Sequence, residues 1–351
     1  MGLTSKMAGG TAEPWQWRCL AGALLALALS LPAQAERAYV SNEDDGTVTV
    51  LDTQRLAVIA TVAVGKRPRG LTLTRDGARL YVAVSGLPKC PPPMRDEDCA
   101  RLPRDRAADG VAVMDTTTLR PLPMIRGVSD PERVALSRDD RMLFVTDEDE
   151  SRLSVLDALH GTALAGIAIG HEPEGVRVSP DGRWVLTTSE EENSVAIIDA
   201  RRHALLRTVT VGKRPRDLAF SPDSHTAYVS GEADASVFRI AVPDGEPATR
   251  LLQLPKEARP MGVALDARRG RLYVTTGHAG TVAVISLGDG TLISEIAVGG
   301  RPWGIALSEH GERLVTANGP AGDIAVVDTH TLTVLGKVSA GHGPWGVAAE
   351  P

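Results

Sequence analysis

A proline set between polar or aromatic neighbours recurs along this chain at Pro68, Pro131, Pro173, Pro215, Pro260, Pro302 and Pro344, at spacings of 63, 42, 42, 45, 42 and 42 residues. Two of the copies are spelled alike, Val-Gly-Lys-Arg-Pro-Arg at Val64–Arg69 and again at Val211–Arg216. Five of the seven prolines open a short apolar run that ends in Ser or Thr, usually followed two residues later by Asp, as in Thr74-Arg75-Asp76-Gly77. A period near 42 constrains the fold more than the length of 351 residues does. A unit of that size cannot bury its own apolar faces and must stack on its neighbours.

Aligned on the prolines, each unit contains four short segments. The first follows the proline (Gly70–Thr74, Asp217–Ser221) and the second is rich in Tyr and Val (Tyr39–Ser41, Tyr81–Ser85, Tyr273–Thr276). The third tends to end in Asp (Thr47–Asp52, Ser194–Asp199, Asp323–Asp328), and the fourth is another β-branched run (Ala57–Val64, Leu206–Val211). Alternation, Val/Ile/Thr content and turn signals every eight to twelve residues predict strands. Four antiparallel strands per unit describe a β-propeller blade. The chain carries second, third and fourth segments at 37–64 and a lone first segment at 344–349. The expectation is therefore an all-β, seven-bladed β-propeller of four-stranded antiparallel blades over residues 36–351. The C-terminal strand would complete the N-terminal blade and remove an open edge.

Two stretches stand outside the repeat. Lys6 and Arg18, the apolar run Leu20–Leu31 and Ala33-Gln34-Ala35 predict a cleaved signal peptide over residues 1–35, and hence a periplasmic protein without a membrane span. Removing two bases and one acid moves the net charge from −6 to −7, which disfavours a general polyanion binder. The second stretch, an insertion at about 86–109, accounts for the 63-residue spacing and holds Cys90 and Cys99. In an oxidising compartment that pair predicts a disulfide. The loop could carry binding contacts or be a tolerated surface insertion.

In a propeller the turns that hold the prolines gather at one mouth of the central channel. The flanking residues are Arg67/Arg69, Asp130/Glu132, Glu172/Glu174, Arg214/Arg216, Arg259/Met261, Arg301/Trp303 and Gly343/Trp345. Two adjacent blades are acidic, and the others form a basic arc that ends in two tryptophans. Asn42-Glu43, Asp147-Glu148, Glu190, Glu232, His278 and Asn318 fall on the same face. Arginine forks and indoles suit a small anionic ligand or a redox partner. The bland alternative is mutual neutralisation across a water-filled channel. Gly341-His342-Gly343-Pro344-Trp345-Gly346 spells G-x-G-x-x-G, but it is the seventh repeat turn and no helix follows it. The chain has no nucleophile elbow, zincin or c-type haem motif. His171 and His342 read as rim residues without a third ligand, so neither a metal nor a cofactor is implied.

Tyr39-Val40-Ser41-Asn42, Tyr81-Val82 and Tyr273-Val274-Thr275 resemble the YVTN family of propeller repeats. The order of the mouth motifs (Gly65–Gly70, Asp130-Pro131-Glu132, Glu172–Gly175, Arg214-Pro215-Arg216, Arg301-Pro302-Trp303, Gly343–Val347) is similar to that of propeller proteins associated with pyrroloquinoline quinone-dependent alcohol catabolism. The cysteine-bearing insertion departs from that pattern. The resemblance implies an exported, non-enzymatic binding or accessory protein beside a quinoprotein or other redox partner; the expected state is a monomer. It also raises a lactonase-like alternative, for which His278, Glu190 and Arg259 are the candidate residues. Single-stranded nucleic-acid binding is a third alternative, weakened by the net acidity.

Overall fold

The computed structural model describes Gly2, residues 36–90, Met94, Asp98, 101–245 and 248–350. The apolar run and cleavage motif expected near the N-terminus lie outside the described residues, as does Cys99. The described residues form twenty-eight strands, β1 to β28 in chain order, sorted into seven four-stranded antiparallel sheets. The first blade is β28 (Pro344–Ala349), β1 (Arg37–Asn42), β2 (Thr47–Asp52) and β3 (Ala57–Ala63), in that order. Ala38 pairs with Ala349, Tyr39 with Ala348 and Val40 with Val347, so the chain's end completes the blade begun at its start.

The two middle strands of each blade are buried on both faces rather than one; Trp184–Ser189 is buried at every position. Neighbouring blades cover them from either side, so their side chains are mostly apolar or Thr/Ser instead of strictly alternating. The outermost strand faces water and shows a near-regular alternation, as in Thr333–Ser339. The core is divided into seven clusters, and each joins two consecutive blades; Tyr39 and Val50 of the first, for example, pack with Leu71, Val82 and Met114 of the second. The four tyrosine rings fill these seams between blades. Tyr81 donates to the Ala158 carbonyl at 3.0 Å and Tyr39 to Glu350 Oε1 at 3.0 Å.

Short polar residues fix the turns. Thr74, Ser137, Ser179 and Ser221 donate their hydroxyls to Asp76, Asp139, Asp181 and Asp223 at 2.5–2.6 Å. Asp52, Asp157, Asp199 and Asp328 accept backbone N–H groups two and three residues on, closing the turn between the third and fourth strands. The first strands of consecutive blades touch in a ring around the channel. The described part of the insertion holds a 3₁₀ turn at Arg106–Ala108. Ion pairs fasten the insertion to the blades on both sides, Lys89 with Asp44 at 2.7 Å and Arg104 with Asp149. Among the described residues no helix is long and apolar enough to cross a membrane.

Candidate functional site

All seven repeat prolines are buried and begin the channel-lining strands. The residue before each proline lies in the left-handed region: Arg67, Asp130, Glu172, Arg214, Arg259 and Arg301 at φ of 41–53°, and Gly343 at 65°. Only the seventh copy uses glycine, for which this conformation is free. An L-residue there costs about 1–2 kcal/mol. Six such residues around one mouth place stored backbone strain where charged side chains converge, a pattern typical of functional sites. Glu172 is the clearest test, because it is half-buried and forms no ion pair among the described residues. Glu172→Gly should raise the thermal midpoint by roughly 2–4 °C, read by calorimetry; a lowered midpoint would show that the position is not strained.

The mouth arginines are not an open socket for anions. Arg69 is buried against Glu132, with Glu148 at 3.4 Å and Asp130 and Glu43 at 3.6 Å. Arg67 holds Glu43 at 2.9 Å and donates to the Leu87 carbonyl at 2.6 Å. Arg216 is paired with Glu174, with Glu190 at 2.7 Å and with Glu232 at 2.7 Å. Arg214 pairs with Glu190, and Arg259 with Glu232 at 2.9 Å. Among the described residues Arg301 is the one mouth arginine without a carboxylate partner; its guanidinium stacks 5.4 Å from the Trp303 ring. Trp303 meets Trp345 edge-on at 6.4 Å and 75°, and Arg133 lies 5.1 Å from the Trp345 ring.

These groups enclose a cavity of about 120 Å³ whose walls include Glu132, Glu174, Glu232, Arg301, Trp303 and Trp345. That is well above the threshold for a single water, so the cavity has room for a small molecule. Three buried polar atoms on its lining residues have no hydrogen-bond partner among the described residues: Glu132 Oε2, Arg133 Nε and Trp303 Nε1. Such groups are costly to leave unsatisfied and mark a place for a ligand or water.

Burial drives the Glu132 carboxyl well above its usual range, helped by Glu174, Glu148 and Asp130 and opposed by Arg69. Burial likewise pushes Glu148 up to about 8 and Glu190 up to about 7, with neighbouring carboxylates adding to the effect. Glu43 and Glu232 move the other way. Burial is outweighed there by Arg69, Arg67 and Lys89 in the first case and by Arg216, Arg214 and Arg259 in the second. One cavity thus joins a proton-holding carboxyl, Glu132, to an ionised one, Glu232.

This has a consequence for stability. Unfolded glutamates titrate near 4.3, so between about pH 4.5 and 8 the folded chain holds protons that the unfolded chain has released. Stability falls as pH rises through that window, by on the order of a few kcal/mol at about 1.4 kcal/mol per pK unit. The stabilisation from Glu43 and Glu232 is lost only at lower pH. Melting curves at about pH 5.5 and 8.5 should show the decline, and Glu148→Gln with Glu190→Gln should flatten it; a slope unchanged in the double variant would contradict the shifts.

Of the expected site residues, Arg69, Glu132, Glu174, Arg216, Trp303 and Trp345 surround the channel, with Arg301 above them. Arg67, Glu172, Arg214 and Arg259 sit on the rim. The lactonase candidates Glu190 and Arg259 are linked through Arg216 and Glu232, whereas His278 is exposed on the rim. His171 bonds Ser151 at 2.8 Å and His342 bonds Asp45 at 2.8 Å. The sequence reading missed Arg133 and Asp217. The available signal was their position two residues after the proline, which is glycine in the other five repeats, Gly70, Gly175, Gly262, Gly304 and Gly346. Those glycines let adjacent strands approach closely; a Cβ on Gly70 would sit 2.5 Å from Arg133 Cγ.

Residues 104–231 match the family model described as the cytochrome D1 heme domain. No curated protein sequence is similar enough to the chain to be matched. Among solved structures, the chain is similar to a putative 6-phosphogluconolactonase from Bacteroides uniformis (18% identity, TM-score 0.71, covering 90% of this chain and 100% of that one). It is also similar to the periplasmic gluconolactonase of Pseudomonas aeruginosa (19% identity, TM-score 0.69, covering 90% and 99%). A dihydro-heme d1 dehydrogenase matches at 16% identity and TM-score 0.59, covering 90% of this chain and 75% of that one. At these identities the likeness is one of fold.

These findings overturn the expectation of a non-enzymatic accessory protein tied to pyrroloquinoline quinone-dependent alcohol oxidation. Among the matched structures are ones named as lactonases and a heme d1 enzyme. The mouth also differs physically from a basic ligand socket, because five of its six arginines are already neutralised by carboxylates. Nor do its residues fit a tetrapyrrole. The cavity is about 120 Å³, far smaller than such a macrocycle, and no histidine or cysteine in its walls could serve as an axial ligand.

Proposed function

We propose that the channel mouth hydrolyses a small hydroxylated lactone. The observation that carries this reading is a single cavity holding a protonated carboxyl with a free oxygen (Glu132), an unpartnered indole N–H (Trp303) and an arginine without a counter-ion (Arg301). A sugar-like ring needs both kinds of partner: carboxylates for its hydroxyls, donors for its carbonyl, and an indole face for its C–H groups. The likeness to two lactonase structures agrees with that choice.

In this mechanism Arg301 and Trp303 Nε1 donate to the lactone carbonyl oxygen, where negative charge develops. Glu174 accepts a proton from the attacking water, whose oxygen bonds to the carbonyl carbon. As the ring C–O bond breaks, Glu132 gives its proton to the departing alkoxide, and the product is the open hydroxy acid. Arg69 and Arg216 hold the two carboxyl groups in place. A panel of five- and six-membered polyhydroxy lactones, followed by proton release, tests the reading. Hydrolysis above the buffer rate is expected, and no turnover of any member would remove the assignment.

The same proposal places the protein in the periplasm as residues 36–351. Supporting this are Leu20–Leu31, followed by Ala33-Gln34-Ala35, and the periplasmic gluconolactonase among the similar structures.

A further inference from the structure

Beside the cavity, which Arg133 helps to line, charged side chains from three inner strands meet. Arg133 and Asp217, which replace glycine at the same repeat position, meet at 3.3 Å. Arg177 brings a second guanidinium to the same carboxylate oxygen at 3.1 Å, and the Val263 N–H also donates to it at 3.2 Å. Two arginines therefore share one carboxylate, leaving one positive charge uncompensated inside the channel. Burial, followed by the nearby Arg133 charge, lowers the pKa of Arg177 despite Asp217, as expected of an under-neutralised cation.

The repeat position that holds Arg177 is occupied in the other blades by Thr72, Ala135, Ala219, Ala264, Ala306 and Ala348. Five of these small residues, Thr72, Ala219, Ala264, Ala306 and Ala348, border one open cup together with the long cation Arg177. The cup is about 540 Å³, walled also by residues such as Phe220, Leu265 and Leu307. Its walls combine apolar side chains such as Leu73, Ile305 and Val347 with Thr72, Thr74 and Arg75, and hold neither the carboxylates nor the indoles of the first cavity.

We propose that this cup is a second binding site, for a monocarboxylate with an unbranched apolar chain. The carboxylate would neutralise the uncompensated charge through the free N–H groups of Arg177, and the chain would lie against the alanines. A hydrated inorganic anion would leave the apolar wall unused, and a cation would meet the excess positive charge. The site is separate from the one proposed for hydrolysis, so neither proposal rests on the other.

Calorimetric titration of the intact protein with decanoate, decanol, acetate and chloride tests it. Decanoate is expected to bind, and decanol and acetate at least about tenfold more weakly. Arg177→Ala should weaken decanoate at least about tenfold. Five of the other blades carry alanine at this position, and Asp217 keeps Arg133, so the variant should fold. Ala306→Leu, which narrows the cup from an inner strand three blades away from Arg177, should weaken decanoate as well. Equal binding of acetate or chloride, equal binding of decanol, no binding of decanoate, or unchanged affinity in either variant would overturn the proposal.

Discussion

Replacing Glu132 with glutamine is expected to lower the kcat of lactone hydrolysis by about two to four orders of magnitude with little loss of stability. Glutamine has the shape and neutral charge of the protonated acid that burial already enforces at this site. It can still accept the Arg69 hydrogen bond, and the cavity volume does not change. What it cannot do is release a proton to the leaving alkoxide. The effect should therefore fall on kcat far more than on KM. The pH profile gives a second readout. As Glu148 ionises at about 8, negative charge builds beside Glu132 and Arg69, and wild-type activity should change there. Initial rates over about pH 6–9 check both points. A variant that keeps more than about a tenth of wild-type kcat would remove Glu132 from the chemistry.

The largest effect on stability is expected from ending the chain at Gly343. This removes β28, whose pairing with β1 is the seam that closes the ring. It exposes Ala38, Tyr39 and Val40, which are fully buried in the intact protein, and removes the Glu350 carboxylate that accepts from Tyr39 and lies 3.9 Å from Arg37. It also leaves β1 as an open edge inside the channel. The loss should be on the order of 5 kcal/mol or more, comparable with the whole stability of an ordinary domain. Differential scanning calorimetry should show a much lower midpoint or no cooperative transition. Truncation without change in the midpoint would mean that the seam contributes little.

The sequence made the fold legible because each blade repeats the same local instructions. Pro68 and its six counterparts mark where an inner strand starts, Thr74-Arg75-Asp76-Gly77 closes its turn, and Tyr39 or Tyr81 marks the seam to the next blade. The closing strand was legible for the same reason, since Pro344–Ala349 has no blade of its own. The site was legible only as a list of charges near one mouth. That Arg216 would bridge Glu174, Glu190 and Glu232, while Arg301 stays unpaired, depends on how far each side chain reaches across the ring. Arg133 and Asp217 stand 84 residues apart, and nothing local couples them. The left-handed φ before each proline was equally hidden, because arginine and glutamate in sequence give no sign of it.

Sequence alone determined the number of blades, their strand order, the circular closure and the face on which the departures from the repeat collect. Those properties follow from short-range patterning, repeated until the ring closes. Tertiary structure alone decided which mouth charges cancel, which carboxyl keeps its proton, and that a carboxylate- and indole-lined cavity and a separate cup beside Arg177 form. Burial and the distance between charges on different blades set these outcomes, and neither quantity exists until the ring has formed.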